Sequence, residues 1–208
     1  MNMGYKTEQE EFWAGEFGTA YISRNISSEY LASNLNFFSS VFKQVGRPSS
    51  LIEFGANVGM NLRAIQLLFP GISLKGIEIN ADAAKELGTH IGKDNVYHGS
   101  IFNFEPMEKH DVALIKGVLI HINPEMLPQV YEKLYQSSSK YIVVAEYYNP
   151  APVTVNYRGH SDRLFKRDFA GELLDRYQDL ELVDYGFAYK RDKAFPQDDI
   201  TWFLLEKK

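Results

Sequence analysis

The 208-residue sequence contains no cysteine and no apolar run that approaches the roughly 20 residues of a membrane span. The absence of cysteine excludes a disulfide framework and a thiolate metal site. Residues 1–11 are too polar and acidic for a signal peptide. We therefore expect a cytoplasmic protein that does not associate with membranes.

Positive charge is scarce as well. The formal net charge is -5 and the pI is about 5.6, which argues against the clustered basic face that a nucleic acid or an anionic membrane would require. No cluster of Asp and Glu has metal-ligand spacing, so no metal site is predicted. The expected partner is a small molecule, and the sequence alone does not define an oligomeric state.

The chain has ample hydrophobic surface for a core. Hydrophobic residues make up 45% of it and aromatic residues 14%, and its length suits one domain of roughly 100 to 200 residues. Helical and strand periods alternate without internal repeats. Residues 1–208 are therefore expected to form a single domain, with residues 1–45 as an N-terminal helical lid and residues 147–164 as a substrate loop.

The most informative segment is Leu51 to Asn61, which reads LIEFGANVGMN. It predicts a buried strand that ends in the acidic Glu53 and in a glycine turn opening directly into a helix. Gly55 can take backbone angles closed to other residues, and Gly59 allows a ligand or strand to approach the helix start closely. A turn of this kind is suited to hold a nucleotide-like cofactor.

A second apolar strand, residues 72–79, follows about twenty residues later and closes on Glu78. A carboxylate at the tip of this strand is placed to accept both hydroxyls of a ribose. Two strands, two carboxylates and one glycine turn therefore predict an adenosine site.

The glycine spacing discriminates between adenosine cofactors. A dinucleotide fingerprint G-x-G-x-x-G placed on Gly55 would have Asn57 and Met60 at its second and third glycines, so NAD and FAD are disfavoured. S-adenosyl-L-methionine has no phosphate and carries a cationic sulfonium. The acidic Glu53, followed by spaced glycines, suits this cofactor better.

The segment resembles the first motif of class I S-adenosylmethionine-dependent methyltransferases, an acidic residue followed by G-x-G-x-G, with an asparagine at the central glycine. The resemblance implies that Glu53 and Gly55 face the methionine moiety, that Glu78 binds the ribose, and that Ser100 and Ile101 hold the adenine. The predicted cofactor-binding residues are Glu53, Gly55, Asn57, Gly59, Asn61, Glu78, Ile79, Ser100, Ile101, Lys116 and Val118.

The pattern of elements predicts an α/β fold of the Rossmann-like class I methyltransferase type, with a mostly parallel seven-stranded sheet and an antiparallel C-terminal hairpin. Strands 180–189 and 200–206 are separated by too few residues for a crossover helix, so they must pair as a hairpin. A dinucleotide-binding Rossmann domain would instead continue parallel. The other predicted elements are helices over residues 27–45, 60–69, 81–91, 124–135 and 165–177, and strands over residues 51–54, 72–79, 111–118 and 140–146 and near residue 96.

Two histidines are the predicted catalytic residues. His121 follows the fourth strand, next to where the sulfonium methyl would be presented, and His160 lies in a later loop. Methyl transfer chiefly needs proximity, and a hydroxyl acceptor also needs its proton removed, a task for a side chain that titrates near neutrality. The alternative for His121 is a capping or packing role just before Asn123.

The segment from Glu146 to Glu172, EYYNPAPVTVNYRGHSDRLFKRDFAGE, is predicted to begin with a long substrate loop. Within it, residues 158–168 carry four cationic and two acidic side chains, a local charge near +2, and guanidinium groups bind carboxylate or phosphate. An anionic substrate is therefore predicted. The alternative for Lys166, Arg167 and Asp168 is the solvated first turn of a helix. The predicted substrate-binding residues are Tyr148, Tyr157, Arg158 and Arg163, joined by Tyr21 and Arg24.

Tyr21 and Arg24 belong to residues 10–25, EEFWAGEFGTAYISRN, which mix aromatics with glycines. This composition is poor for a helix and suited to a lid over the cofactor. The alternative is that the aromatics pack on the rim of the sheet.

Four segments together resemble the family of pseudaminic acid biosynthesis-associated methylases: FWAGEFGTAYISRN, LIEFGANVGMN, IKGVLIHINPE and residues 146–172. The resemblance covers nearly the whole chain. It implies an S-adenosylmethionine-dependent methyltransferase acting on a small anionic, sugar-derived acceptor, a nonulosonic acid of bacterial surface glycans or its nucleotide-activated form. The alternative is a non-catalytic S-adenosylmethionine-binding or partner-binding subunit of a glycan-biosynthesis pathway.

Overall fold

A computed structural model describes residues 6–22, 27–157 and 160–208, with the side chains of residues 21, 156, 157 and 160–163 outside the description. The helices are α1 Glu8–Ala14, α2 Glu16–Ile22, α3 Ser28–Val41, α4 Met60–Leu68, α5 Ala81–Ile91, α6 Leu127–Ser137 and α7 Phe169–Arg176. The strands are β1 Ser50–Phe54, β2 Ser73–Glu78, β3 Val96–His98, β4 His110–Lys116, β5 Ser138–Glu146, β6 Val153–Tyr157, β7 His160–Lys166, β8 Leu180–Ala188 and β9 Ile200–Lys207. No helix in the described ranges is long and apolar enough to cross a membrane.

Seven strands form one sheet in the order β3-β2-β1-β4-β5-β9-β8. The first five are parallel, whereas β9 pairs antiparallel with both β5 and β8. The predicted fold class is therefore confirmed. Strands β8 and β9 pair antiparallel for the reason expected from the sequence: residues 189–199, which connect them, are too few for the crossover helix that a parallel pair would need.

Both faces of the sheet are covered by helices. Phe38 of α3, Ile65 of α4 and Leu87 of α5 are fully buried against one face, and Leu134 of α6 and Leu173 of α7 are fully buried against the other. A parallel strand covered on both sides is apolar at successive positions, as the fully buried Leu51 and Ile52 of β1 show. Full burial of such side chains stabilises the fold by roughly 1.5 to 3 kcal/mol each, far more than an exposed ion pair.

The predicted helix over residues 165–177 is wrong at its start. Residues up to Lys166 belong to β7, which pairs antiparallel with β6 in a separate two-stranded ribbon. The helix begins at Phe169, because the side chain of Asp168 accepts a hydrogen bond from the N–H of Gly171 and caps it. Most of the predicted substrate loop is thus a β-ribbon, consistent with the β-branched residues at its start, Val153, Thr154 and Val155.

The prediction that residues 10–25 are poor helix material is also wrong in part. They contribute to α1 and α2. A capping box starts α1, since Thr7 accepts from the N–H of Glu10 while the Glu10 side chain accepts from the N–H of Thr7. Gly18 lets the two helices approach, because an added Cβ atom there would lie 1.9 Å from the carbonyl oxygen of Trp13.

Candidate functional site

A cavity of about 220 Å³ lies at the carboxyl ends of the central parallel strands, the edge at which α/β sheets bind ligands. A water molecule needs only about 10 to 15 Å³, so this cavity has room for an organic ligand. Its lining residues come from the β1–α4 turn, the ends of β2 and β4, the turn after β3, and α1. The sequence-predicted residues among them are Gly55, Asn57, Asn61, Glu78, Ile79, Ile101, Lys116, Val118 and His121.

The β1–α4 turn has three residues with left-handed backbone angles, Gly55 (φ 74°), Asn57 (φ 49°) and Gly59 (φ 81°). Asparagine tolerates this region better than most residues, which explains how Asn57 replaces a glycine here. The N–H groups of Gly55 and Ala56 both donate to the carbonyl oxygen of Ile77 at 2.9 Å. A Cβ atom on Gly55 would lie 2.5 Å from Val118 Cγ2, so the turn packs directly against the end of β4.

Glu53 is a fully buried carboxylate beneath this turn. Its Oε1 accepts a hydrogen bond from Asn61 Nδ2 at 2.6 Å, whereas Glu53 Oε2 and Asn61 Oδ1 are buried with no partner among the described residues. Burial raises the pKa of Glu53 to about 8, against the opposing effects of the Asn61 hydrogen bond and the charge of Lys116. The pair therefore presents two buried oxygen atoms beside the cavity that no described residue satisfies.

Glu78 ends β2 and joins the two turns that border the cavity. One carboxylate oxygen accepts from the N–H of Asn57 and the other from the N–H of Asn80, each at 2.7 Å. Burial raises its pKa and these backbone hydrogen bonds oppose the rise. Each oxygen keeps a second lone pair, so the carboxylate can still accept bonds from a ligand.

Asn80 is a structural residue that the sequence analysis missed. Its Oδ1 accepts from the N–H groups of Asp82 and Ala83 and caps α5, while its Nδ2 lies 3.3 to 3.4 Å from the carbonyl oxygens of residues 13, 14 and 15. One side chain therefore fixes α1 over the end of β2. An asparagine before a helix is a sequence signal for the cap. The contact of Asn80 with α1 has no such signal, because the two are more than sixty positions apart in the chain.

Replacing Asn80 with alanine should destabilise the protein by about 2 to 3 kcal/mol, because the α5 cap and the bonds to the α1 carbonyl groups are lost together. Urea unfolding measures the loss. Asn80→Ser is the matched control, since its hydroxyl keeps the cap and is too short to reach the α1 carbonyl groups. It should recover about half of the stability while α1 still exchanges its amide hydrogens faster than in the wild type, and equal losses in both variants would contradict the link to α1.

The turn after β3 carries the predicted adenine pair. Ile101 lines the cavity, whereas Ser100 is buried and its hydroxyl accepts from the N–H of Phe102 at 3.0 Å. Ser100 is outside the cavity lining. The structure therefore places Ile101 at the cavity and Ser100 as the cap of the turn that carries it.

The end of β4 contributes Lys116, Val118 and His121 to the cavity. Lys116 Nζ lies 5.7 Å from the ring centre of Tyr30 and 5.5 Å from that of Phe37, so α3 holds its cationic end. The His121 ring lies 4.8 Å from the ring of Trp13 in α1. The N-terminal helices therefore complete the wall on which both side chains lie.

Glu146, the last residue of β5, supports this wall and was also missed as a site residue. Its Oε1 accepts from the N–H groups of Val118 and Leu119, both at 2.9 Å, and its buried Oε2 has no partner among the described residues. Burial raises the pKa of Glu146 to about 7. A glutamate at a strand end carries no sequence signal for such a contact, which depends on the pairing of β4 with β5.

The sequence matches no family model and no curated protein. The chain is similar to the structure of the 1,6-didemethyltoxoflavin-N1-methyltransferase of Burkholderia thailandensis with bound S-adenosylhomocysteine, with a TM-score of 0.73 and 15% identity over 100% of this chain and 92% of the other. It is also similar to the magnesium protoporphyrin IX methyltransferase of Synechocystis PCC 6803 with bound S-adenosylhomocysteine, with a TM-score of 0.68 and 12% identity over 96% of this chain and 97% of the other. The chain has the fold of class I methyltransferases.

A third similar structure is that of a mitomycin 7-O-methyltransferase, with a TM-score of 0.67 and 14% identity over 97% of this chain. This chain spans 61% of the length of that protein. At such identities the likeness extends to the fold alone. The comparisons support the methyltransferase fold of the predicted family and give no support to its pseudaminic acid part.

Within the methyltransferase fold, the ribbon β6–β7 lies against the cavity. Strand β7 packs on residues 119–121, and its Leu164 is buried in the cavity lining. Tyr147, which follows β5, also lines the cavity, and Lys166 Nζ lies 5.2 Å from its ring centre. The predicted alternative for Lys166, Arg167 and Asp168, the first turn of a helix, is wrong. Lys166 ends β7, Arg167 pairs with Glu172, and Asp168 caps α7 from outside the helix.

The remaining predicted residues do not gather at the cavity. Gly59 starts α4 and lies outside the lining, and Tyr148 is 41% exposed with its ring 5.8 Å from that of Phe203 on β9. Arg24 and Arg158 lie outside the described residues. The side chains that also lie outside the description are those of Tyr21, Tyr157, His160 and Arg163.

Proposed function

We propose that the protein is an S-adenosylmethionine-dependent methyltransferase. The observation that carries the proposal is the position of the cavity, which lies between the turn after Glu53 and the end of β2 at Glu78. Neighbours with this fold were crystallised with S-adenosylhomocysteine. The described residues contribute one cation to the lining, Lys116, and several acids, a balance that suits a cationic cofactor.

The chemistry of the buried groups fits S-adenosylmethionine. Asn61 Oδ1 is an acceptor that no described residue satisfies, and Glu53 Oε2 becomes a second one when the carboxyl group loses its proton, a state that a bound cation favours. An ammonium group of the methionine moiety supplies donors. We assign Glu53, Gly55 and Asn61 to this moiety, Glu78 to the ribose hydroxyls, and Ile101 to the adenine.

The bound cofactor supplies a methyl group on a sulfonium sulfur, which leaves as a neutral thioether. The chain itself positions the acceptor and excludes water. In this proposal His121 takes the proton of the acceptor, with His160 as the second candidate base, and Glu146 holds the turn 117–121 that carries His121.

The acceptor in this proposal is a small anionic molecule, derived from a sugar of the nonulosonic acid type or its nucleotide-activated form. Lys116 lines the cavity, and Lys166 lies over Tyr147 at its border. The local excess of positive charge in residues 158–168 of the sequence supports an acceptor that carries a carboxylate or phosphate.

Calorimetric titration with S-adenosylmethionine, S-adenosylhomocysteine and NAD tests the cofactor. We expect binding of the first two alone, and weakening of at least about tenfold in Glu78→Ala because the ribose loses its charged acceptor. Glu78→Gln, which keeps acceptor capacity, should lose less, and Glu86→Ala on the exposed side of α5 should bind as the wild type does. Thermal melts confirm that each variant is folded.

The outcomes of this titration separate the two classes of function. Binding of S-adenosylmethionine and S-adenosylhomocysteine, together with methyl transfer to an acidic sugar, would establish that the protein is a methyltransferase. Binding without transfer in an acceptor screen would favour the non-catalytic binding subunit, and binding of NAD alone would contradict the cofactor assignment.

A further inference from the structure

Glu10 of α1 has a buried carboxylate oxygen without a partner. The side chain is 6% exposed and belongs to the cavity lining. Its Oε2 accepts from the N–H of Lys6 at 2.6 Å and from the N–H of Thr7 at 3.3 Å, the second of which completes the capping box of α1. Its Oε1 is buried and has no hydrogen-bond partner among the described residues. Because an unsatisfied buried acceptor is costly, a ligand that donates a hydrogen bond to Oε1 would gain affinity.

The start of α1 lies over the turn after β3, at the end of the cavity to which we assign the adenine. Lys6 Nζ lies 3.5 Å from the carbonyl oxygen of Phe102 and 5.9 Å from the centre of its ring. Ile101 and Phe102 of this turn line the cavity together with Glu10. Glu10 therefore lies at the base end of the cavity.

The turn after β3 also adjoins the carboxylate assigned to the ribose, since the N–H of Gly99 donates to the carbonyl oxygen of Glu78 at 2.9 Å. The residues of this turn that line the cavity are Gly99, Ile101 and Phe102, which offer the base no side-chain acceptor. The hydroxyl of Ser100 accepts from the N–H of Phe102 and lies outside the lining. An acceptor for the base must therefore come from another element, and α1 supplies one.

The chemistry of Oε1 selects between purines. The exocyclic amino group of adenine is a hydrogen-bond donor, whereas a 6-oxopurine has a carbonyl oxygen, an acceptor, at the same position. A carboxylate only accepts hydrogen bonds, so it binds the amino group and opposes the carbonyl oxygen. Hydrogen bonds to a charged acceptor are also stronger than neutral ones.

We propose that Glu10 determines the base specificity of the cofactor site, by accepting a hydrogen bond from the 6-amino group of adenine through Oε1. The inference rests on the proposed function, because it concerns the base of the assigned cofactor. Oε2 stays with the N–H groups of Lys6 and Thr7, so the capping box that starts α1 also holds the carboxylate in position for the base.

Calorimetric titration with S-adenosylhomocysteine and with S-inosylhomocysteine, its 6-oxo analogue, tests this assignment. The wild type should bind the adenine compound about 100-fold more tightly, because the 6-carbonyl oxygen of the analogue would face an acceptor.

Glu10→Gln should change this preference. Glutamine also forms a capping box, so its amide oxygen can stay with the backbone N–H groups while its amide nitrogen donates to a 6-carbonyl oxygen. The affinity of the variant for S-adenosylhomocysteine should fall by about 10- to 100-fold, and its affinity for S-inosylhomocysteine should rise by about tenfold.

Glu11→Gln is the matched control, since Glu11 is exposed on α1 and lies outside the cavity lining, and it should keep the wild-type preference. A merely structural role of Glu10 would weaken both compounds equally in Glu10→Gln, and an unchanged ratio would overturn the inference. Equal affinity of the wild type for the two compounds would overturn it as well while leaving the cofactor site in place. Binding of neither compound by the folded wild type would overturn the cofactor assignment together with this inference, so the two failures are distinguishable.

Discussion

Replacing Glu53 with glutamine is expected to remove much of the pH dependence of stability between about pH 5 and pH 8. Burial raises the pKa of Glu53 from 4.5 to about 8, so over this range the folded protein keeps a proton that the unfolded chain releases. The stability from this group is complete below pH 4.5 and is lost as the pH rises through about 8. Between pH 5 and pH 8 the wild type should lose stability on the order of 3 to 4 kcal/mol through Glu53 alone.

Urea unfolding of both proteins across this pH range measures the effect. The difference between the two proteins is the informative quantity, because burial also raises the pKa values of Glu78 and Glu146 and lowers that of His110, which acts in the opposite direction. Glutamine keeps an acceptor for Asn61 Nδ2, so the variant should fold. Parallel pH profiles for the two proteins would show that Glu53 does not hold its proton in the folded state.

Replacing His121 with alanine is expected to reduce the rate of methyl transfer to an acidic sugar acceptor by roughly 100- to 10,000-fold. The imidazole lines the cavity together with Lys116 and Val118, and in the proposed function it takes the proton of the acceptor hydroxyl. Affinity for S-adenosylhomocysteine should stay near that of the wild type, because Glu53 and Glu78, to which we assign the cofactor contacts, are untouched. The release of S-adenosylhomocysteine measures the rate.

Two further histidine variants are compared with His121→Ala. His90→Ala is the control, since His90 lies on α5 beside Glu86 and outside the cavity lining. His160→Ala tests the second candidate base. Unchanged turnover in both His121→Ala and His160→Ala would remove general-base chemistry and leave proximity as the contribution of the protein.

The order of elements was predictable because its signals are local. Three of these signals each span no more than about a dozen residues: the apolar run of β1, the glycine turn, and the short connection between β8 and β9. The elements that they predict are all present in the structure. The β6–β7 ribbon was not predicted, since proline, glycine and charges in residues 150–168 obscure its strand pattern. The capping box of Thr7 stabilises the start of α1 although the composition of this segment disfavours a helix, which explains why α1 was not expected.

The sequence by itself determined the fold class, the conformation of the Gly55 turn and the position of Glu53 and Glu78 at strand ends. These follow from backbone sterics and from periodicity, which neighbouring residues set. Only the tertiary structure decided which groups surround the cavity. Asn80 reaches α1, Trp13 reaches His121 and Glu146 holds the turn after β4, and each contact joins residues far apart in the chain. The raised pKa values of the buried carboxyl groups have the same origin, because burial depends on how distant elements pack.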